Sequence, residues 1–322
     1  MSTPASPAPR VAAVIATYQR PMELARLLDN LARSDVPLAG GVFVADNAAA
    51  EECRKVCRDS ALDVRWLPRT ENTGPGAAWN HGIREALRDP SVSHVLVLDD
   101  DAVLQPDLIG TLLAAIGAGG TAAPLLFDHR GHLWGFPEPA ERGLRTVIRR
   151  MQTEADCRQG LGLTPHPFCW ATGACMLYAR RAFQQCGFFR EDFWMLGEDL
   201  DFSMRVTTSL GGVFTAAAAV RHLPPDPPDA ATAKVGHRLK FLALLQNLSF
   251  LAFHAPHRAH LRGYLAGNFK RYLRTEGFGP GDLAEAWSAF ALGAIRQQPA
   301  GTAGGARLRE RARRRMAKDR PE

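Results

Sequence analysis

Three consecutive aspartates, Asp99, Asp100 and Asp101, close the apolar run His94-Val95-Leu96-Val97-Leu98. Carboxylates crowded at the end of a strand repel one another unless a cation neutralises them. A hard divalent ion such as Mg²⁺ or Mn²⁺ suits oxygen ligands and keeps positions open for phosphate oxygens. Side chains alternate along a strand, so Asp99 and Asp101 are expected on one side, where they can share an ion. Asp100 then points the other way, toward a sugar hydroxyl or a structural hydrogen bond. The competing reading is an ordinary acidic turn. A second group, Glu198, Asp199 and Asp201, opens a helical pattern. Such acids can supply a general base, or they can simply complement the positive end of a helix. A third segment, Asn72-Thr73-Gly74-Pro75-Gly76-Ala77-Ala78-Trp79-Asn80-His81-Gly82, is small and glycine-rich. It lets a backbone approach a ligand at a helix start, but it is neither a Walker loop nor GxGxxG.

These residues need a frame. Val11–Thr17, Gly41–Asp46, Leu62–Leu67 and His94–Asp99 read as strands, alternating with helices at Pro21–Leu31, Glu51–Asp59, Pro75–Leu87 and Pro106–Ile116. That order predicts an α/β fold with a mostly parallel central sheet flanked by helices. Ligands of such sheets gather at the carboxyl ends of the strands, where Tyr18, Asp46 and Asp99 to Asp101 fall. Beyond Thr121 the pattern loosens. Val147–Gly162 reads as a mobile loop, Trp170–Tyr178 as one strand, Arg180–Cys186 and Glu198–Thr208 as helices, and Gly212–Arg221 as a last strand ending at His222. The prolines of Pro224-Pro225-Asp226-Pro227-Pro228 mark a boundary. Three helices follow, near Ala233–Phe253, Arg258–Thr275 and Gly281–Gln297. The expected organisation is a flexible N-terminus over 1–9, a catalytic domain over 10–225, a helical extension over 226–298 and a basic, disordered tail over 299–322.

In their order and spacing these motifs closely resemble family 2 inverting glycosyltransferases with the GT-A fold. They are Thr17-Tyr18-Gln19-Arg20-Pro21, Asp46-Asn47, the Asn72–Gly82 loop, Leu98–Asp107 and Gly197-Glu198-Asp199-Leu200-Asp201-Phe202. The resemblance spans about Val11–Pro225, and within the family is nearest bacterial rhamnosyl- and galactofuranosyl-transferases of polysaccharide biosynthesis. It implies a UDP- or dTDP-sugar donor, with Thr17, Tyr18 and Arg20 at the nucleotide and Asp46 accepting the imide N–H of its base. It also implies that Asn72 and Gly74 lie beside the nucleotide, that Asn80 stiffens their loop, and that Asp100 lies near the ribose or donor sugar. By the same resemblance Asp99 and Asp101 hold Mg²⁺ or Mn²⁺, and His222 stands where relatives often place a third ligand. Asp199 is the implied general base, with Glu198 beside it. Trp194 and Trp170 are candidate stacking surfaces for the acceptor, which is a glycan, a lipid-linked glycan or a small molecule. Asp201 either meets the acceptor or caps the helix.

Bulk properties set limits. The chain has 322 residues and a formal net charge of +6, but Gly301–Glu322 alone carries eight basic and three acidic residues, so the body is near neutral. A nucleic-acid-binding role resting on the Arg-rich tail is therefore a weaker alternative, as is a nucleotidyltransferase, which would not need Asp199. Deleting everything after Gly301 is expected to spare donor hydrolysis. The six cysteines form no CxxC pair, Met1–Pro9 lacks an apolar stretch, and the longest apolar run, Phe241–Phe253, is interrupted by Gln246, Asn247 and Ser249. A bilayer span takes about 20 apolar residues. The expected location is the cytoplasm, with peripheral contact on the inner face of the plasma membrane through the basic C-terminal helices as an added option.

Overall fold

The computed structural model describes residues 8–223, 230–255, 258–274 and 280–318. The proline-rich boundary at 224–228, most of the N-terminal segment, and the side chains of Arg258, Arg271, Tyr272, Leu273 and Arg274 lie outside the described residues. The chain divides into two compact units: residues 1–188 with 202–225, and residues 189–201 with 226–322.

The first unit holds every described strand. In chain order these are β1 (Val11–Thr17), β2 (Val42–Asp46), β3 (Val64–Pro68), β4 (His94–Asp99), β5 (Ala102–Leu104), β6 (Thr121–Phe127), β7 (Leu133–Gly135), β8 (Glu138–Pro139), β9 (His166–Trp170), β10 (Cys175–Ala179) and β11 (Gly212–His222). Its helices are α1 (Pro21–Ala32), α2 (Glu51–Asp59), α3 (Pro75–Ala86), α4 (Leu108–Ile116), α5 (Leu144–Ile148), α6 (Glu154–Leu161) and α7 (Arg180–Cys186), while α8 (Glu198–Leu210) crosses the division between the units. The sheet order is β3-β2-β1-β4-β10-β6-β11-β9-β8, with β5 paired to β11 and β7 to β6. The β3-β2-β1-β4 half is parallel and β6 pairs parallel with β11, while β10, β9 and β5 run antiparallel to their neighbours. The expected α/β frame is present, with a mixed far half.

Helices cover the parallel half, so β1 and β2 are buried at every position. On α1, Leu24, Leu27, Leu28 and Leu31 form one buried stripe, each worth about 2 kcal/mol of apolar burial. Two buried polar contacts then aim the site. The Trp79 indole donates to the Leu98 carbonyl at 3.0 Å, pinning α3 to β4. The Asn30 amide oxygen accepts the Leu104 N–H at 3.0 Å, fixing β5 immediately after the three aspartates.

Three expectations need correction. Val147–Gly162 is not a loop throughout, because α6 is nucleated by a capping box in which Thr153 and Asp156 satisfy each other's backbone N–H groups. Trp170–Tyr178 is not one strand: a turn at Gly173–Ala174 splits it into β9 and β10. The basic tail, expected to be disordered, forms a helix from Ala303 to Lys318, and its Leu308 and Ala312 are buried.

That helix, α12, belongs to the second unit with α9 (Ala230–His254), α10 (Arg258–Arg274) and α11 (Pro280–Ala294). Inside this unit Arg238 of α9 pairs with Asp282 and with Glu285 of α11. Among the described residues no helix is long and apolar enough to cross a membrane.

Candidate functional site

In the first unit the strand ends converge as the alternation argument requires. Asp99 is the last residue of β4, and Asp100 and Asp101 form the turn into β5. The antiparallel β5–β11 pairing sets His222 opposite Ala102, and the Leu223 N–H donates to the Asp101 carbonyl at 2.9 Å. His222 Nε2 thereby lies 3.1 Å from Asp101 Oδ1 and 4.0 Å from Asp99 Oδ2. One ligand atom from each of the three residues lies within 4.8 Å of the others. The imidazole is held flat against the Trp134 ring, with centroids 4.5 Å apart and planes 3° off parallel.

Asp100 turns away, also as expected, but toward protein. Its Oδ2 accepts from Thr17 Oγ1 at 2.7 Å and its Oδ1 from Arg20 Nη1 at 2.9 Å. Arg20 reaches Asp101 Oδ2 as well, at 3.1 Å. Burial pushes the Asp100 carboxyl up, and Arg20 and Thr17 pull it back toward the ionised form. Asp101 is held below the usual carboxylate range: its burial works against ionisation, but His222 and Arg20 outweigh it. Asp100 and Thr17 thus brace the acidic turn instead of facing a ribose in this structure. A metal fits the remaining pair. Asp99 Oδ2, Asp101 Oδ1 and His222 Nε2 face one another, and two carboxylate oxygens with one imidazole nitrogen suit Mn²⁺ or Mg²⁺.

The nucleoside side is built around Asp46, at the end of β2. It is fully buried, and its oxygens accept the N–H groups of Ala48 at 2.9 Å and Ala50 at 2.8 Å and the Trp66 indole at 3.2 Å. Its carboxylate shapes the turn into α2, which leaves little acceptor capacity for a base. Asn47 donates to the Gly74 carbonyl at 3.1 Å and so ties β2 to the glycine-rich loop. Asn72 Oδ1 accepts the Gly74 N–H at 3.1 Å, and Gly74 adopts φ 88°, which a side chain at that position would resist. Asn80 is fully buried on α3, whereas Tyr18 is exposed. Trp170 is buried at the end of β9, so its ring is core packing here and not an acceptor surface.

The second unit carries the other acids. Glu198, Asp199 and Asp201 occupy the first turn of α8, and the Asp201 N–H donates to the Gly197 carbonyl at 2.9 Å. Glu198 is pushed up to about 8, first by burial and then by the Asp199 carboxylate beside it. Its Oε2 is buried without a hydrogen-bond partner. The pair therefore carries one charge at neutral pH, and the half-buried Asp199 is the member that water reaches. The backbone leading into this turn is strained at Trp194 (φ 61°) and Leu196 (φ 66°), and Gly197 takes φ 101°, which glycine alone adopts readily.

Sequence reasoning did not find what holds that backbone. Asn247, fully buried on α9, donates from Nδ2 to the carbonyls of Phe193, Met195 and Leu196 at 3.0, 3.0 and 2.7 Å. Its Oδ1 accepts the Ala300 N–H at 2.8 Å. The Gly301 N–H donates to the Asp192 carbonyl at 2.7 Å, and the Arg309 guanidinium of α12 lies 4.1 Å from the centre of the Trp194 ring. One signal was available: Asn247 is a polar residue inside an apolar run. Trp134 was also missed, and nothing in its neighbourhood of the sequence marks it.

Comparison with known proteins follows the same lines. Residues 8–237 match the family described as glycosyltransferase-like family 2. The N-acetylglucosaminyl-diphospho-decaprenol L-rhamnosyltransferase of Mycobacterium tuberculosis is 28% identical over 276 residues, covering 79% of this chain and 89% of that protein. The crystal structure of S. aureus TarS 1–349 in complex with UDP-GlcNAc superposes with a TM-score of 0.60 at 16% identity, covering 96% of this chain and 88% of the other. The mannosyltransferase PcManGT from Pyrobaculum calidifontis, solved with GDP-Man and Mn²⁺, gives 0.51 at 17% identity, covering 97% and 88%. At these identities the two structures establish the GT-A-like fold.

Proposed function

The chain belongs to glycosyltransferase-like family 2, and from that premise we propose that it moves a sugar, with inversion, from a UDP- or dTDP-sugar to a hydroxyl of a lipid-linked glycan. The lipid-linked acceptor follows the M. tuberculosis relative, whose name specifies a diphospho-decaprenol sugar. The observation that carries the reading is the convergence of Asp99, Asp101 and His222 at the carboxyl edge of the sheet. These three would hold Mg²⁺ or Mn²⁺, which when bound supplies electrophilic stabilisation of a diphosphate leaving group.

The other steps belong to the chain's own side chains. Arg20 and Thr17 keep Asp100 fixed, so the acidic turn keeps its shape when donor enters. The Asn72–Gly76 backbone offers a close approach to the nucleotide at the start of α3. Asp199 takes the proton of the acceptor hydroxyl as its oxygen attacks the anomeric carbon from the face opposite the leaving group. Glu198, protonated at neutral pH, keeps a second negative charge away from that base.

A panel of UDP-, dTDP- and GDP-sugars, scored for binding and slow hydrolysis with Mn²⁺ or Mg²⁺, tests the reading. Turnover should depend on the ion and fall by roughly a thousandfold in the double variant Asp99→Asn/Asp101→Asn. Donor binding that ignores a chelator, together with turnover that survives the double substitution, would falsify it.

A further inference from the structure

Charge and apolar exposure are distributed unevenly along this chain. Met1–Pro225 contains 22 basic and 25 acidic residues, net −3, whereas Asp226–Glu322 contains 17 basic and 8 acidic, net +9. The same C-terminal section holds four of the nine exposed large hydrophobic side chains among the described residues: Phe253, Leu283, Trp287 and Ile295.

Those four are close together. Leu283, Trp287 and Ala291 recur every fourth residue along the outer face of α11, and Ile295 continues the row just past its end. Trp287 is 65% exposed and Ile295 68%. Trp287 stacks on Phe290 with ring centroids 5.4 Å apart, and Phe290 meets Phe253 of α9 edge-on at 5.7 Å. The row ends in cations: the exposed Arg262 of α10 lies 5.5 Å from the centre of the Phe253 ring, and exposed Arg296 follows Ile295. The two acids of α11, Asp282 and Glu285, are buried against Arg238. The outward face of the helix therefore carries no carboxylate.

We infer that the outer face of α11, with Phe253 and the cations Arg262 and Arg296 beside it, seats this enzyme on an anionic lipid bilayer. Trp suits the headgroup level because its ring is apolar and its N–H is polar, and arginines at the rim can reach lipid phosphates while their stems stay in the apolar layer. An uncharged, aromatic helix face flanked by cations is the form that interfacial helices take. A second copy of this chain fits less well, because it would bring two sections of net +9 together. Of the C-terminal helices, α10 supplies the rim of this surface and α11 its apolar centre.

Such seating would present a lipid-linked acceptor to the enzyme, and to that extent it rests on the proposed function. Vesicle binding without nucleotide sugar tests it separately, so its failure leaves donor hydrolysis intact. The full chain should co-sediment with phosphatidylcholine vesicles containing phosphatidylglycerol and only weakly with phosphatidylcholine alone. High salt should weaken the binding. The double variant Leu283→Ser/Trp287→Ser should bind roughly tenfold more weakly while donor hydrolysis and the thermal midpoint stay the same. If that variant fails to fold, Ile295→Ser, which lies beyond the helix end, supplies the same readout. Equal binding to neutral and anionic vesicles overturns the inference, as does binding that the substitutions leave unchanged. A wild-type dimer in sedimentation velocity that the double variant loses would assign the face to self-association and overturn it too.

Discussion

Asp100 and Glu198 are both almost wholly buried carboxyls at the start of a functional turn, and their surroundings are opposite. Asp100 meets Arg20 at 2.9 Å and Thr17 at 2.7 Å. Glu198 has another carboxylate beside it, no cation among the causes of its shift, and an oxygen without a hydrogen-bond partner. The first region is a charge held by an opposite charge, so it can stay ionised and rigid. The second avoids a buried pair of charges by keeping a proton on Glu198, which leaves the charge on Asp199. Two neighbouring acids with environments this different are the usual way to divide acid and base roles.

The largest expected effect separates the members of that second pair. Asp199→Asn removes the base and should lower kcat by roughly a thousandfold with donor KM little changed. Glu198→Gln copies the protonated acid and should stay within about tenfold of wild type. The same substitution has a signed effect on stability. The native Glu198 carboxyl titrates at about 8 against an ordinary value of 4.5, so the native state keeps a proton that the unfolded chain releases. The Glu198 contribution to stability therefore falls as pH rises from about 4.5 toward 8, and Glu198→Gln should gain on wild type across that window, by at most about 5 kcal/mol. Denaturant unfolding of both proteins at pH 5 and pH 8 measures the difference. A stability difference, Gln variant minus wild type, that falls from pH 5 to pH 8 would contradict a protonated Glu198.

The first region should break differently. Arg20→Met leaves Asp100 buried without its cation, and stability should drop by about 3 kcal/mol at neutral pH. Adding Asp100→Asn should restore much of that loss, because the buried charge is gone. If the double variant is no more stable than the single one, the Arg20–Asp100 pair is not what braces the turn.

These two regions also differ in how much of them could be read from sequence. The acidic turn was legible because local rules determine it. Alternation along β4 separated Asp100 from Asp99 and Asp101, and the end of the last strand brought in His222. What escaped was the far side of each side chain. Asp100 and Asp46 were expected to face a ligand, yet partners from other elements occupy them, namely Thr17 and Arg20 in one case and the α2 turn with Trp66 in the other. The Ala48 and Ala50 contacts of Asp46 are local, but no spacing rule reports the long-range ones from Thr17, Arg20 and Trp66. The turn that splits Trp170–Tyr178 did leave a signal in Gly173, as did the Thr153/Asp156 box that starts α6, but both lay in a stretch whose apolar periodicity is weak. The tail was misjudged because its charge hid a buried face of Leu308 and Ala312.

The acidic loop of the second unit depends on that hidden support, which makes its remaining prediction smaller but more specific. Positive φ values at Trp194 and Leu196 cost about 1–3 kcal/mol each, so the loop keeps its shape only if something holds it. Asn247 is placed to do so, since its one amide group meets the carbonyls of Phe193, Met195 and Leu196 and its oxygen holds Ala300. Asn247→Ala should cost about 2 kcal/mol of stability and lower kcat about tenfold while donor KM stays put, because the carbonyls it orders lead directly into Glu198 and Asp199. Asn268→Ala on α10, another buried asparagine, removes a hydrogen bond to the Tyr264 carbonyl and serves as the control, losing stability with kcat unchanged. Deletion after Gly301 should now resemble Asn247→Ala and not the wild type, because it takes away the Arg309 guanidinium that sits over Trp194. If all three proteins lose stability but only in proportion to one another, with kcat equal, then the helices merely close the fold and the loop holds itself.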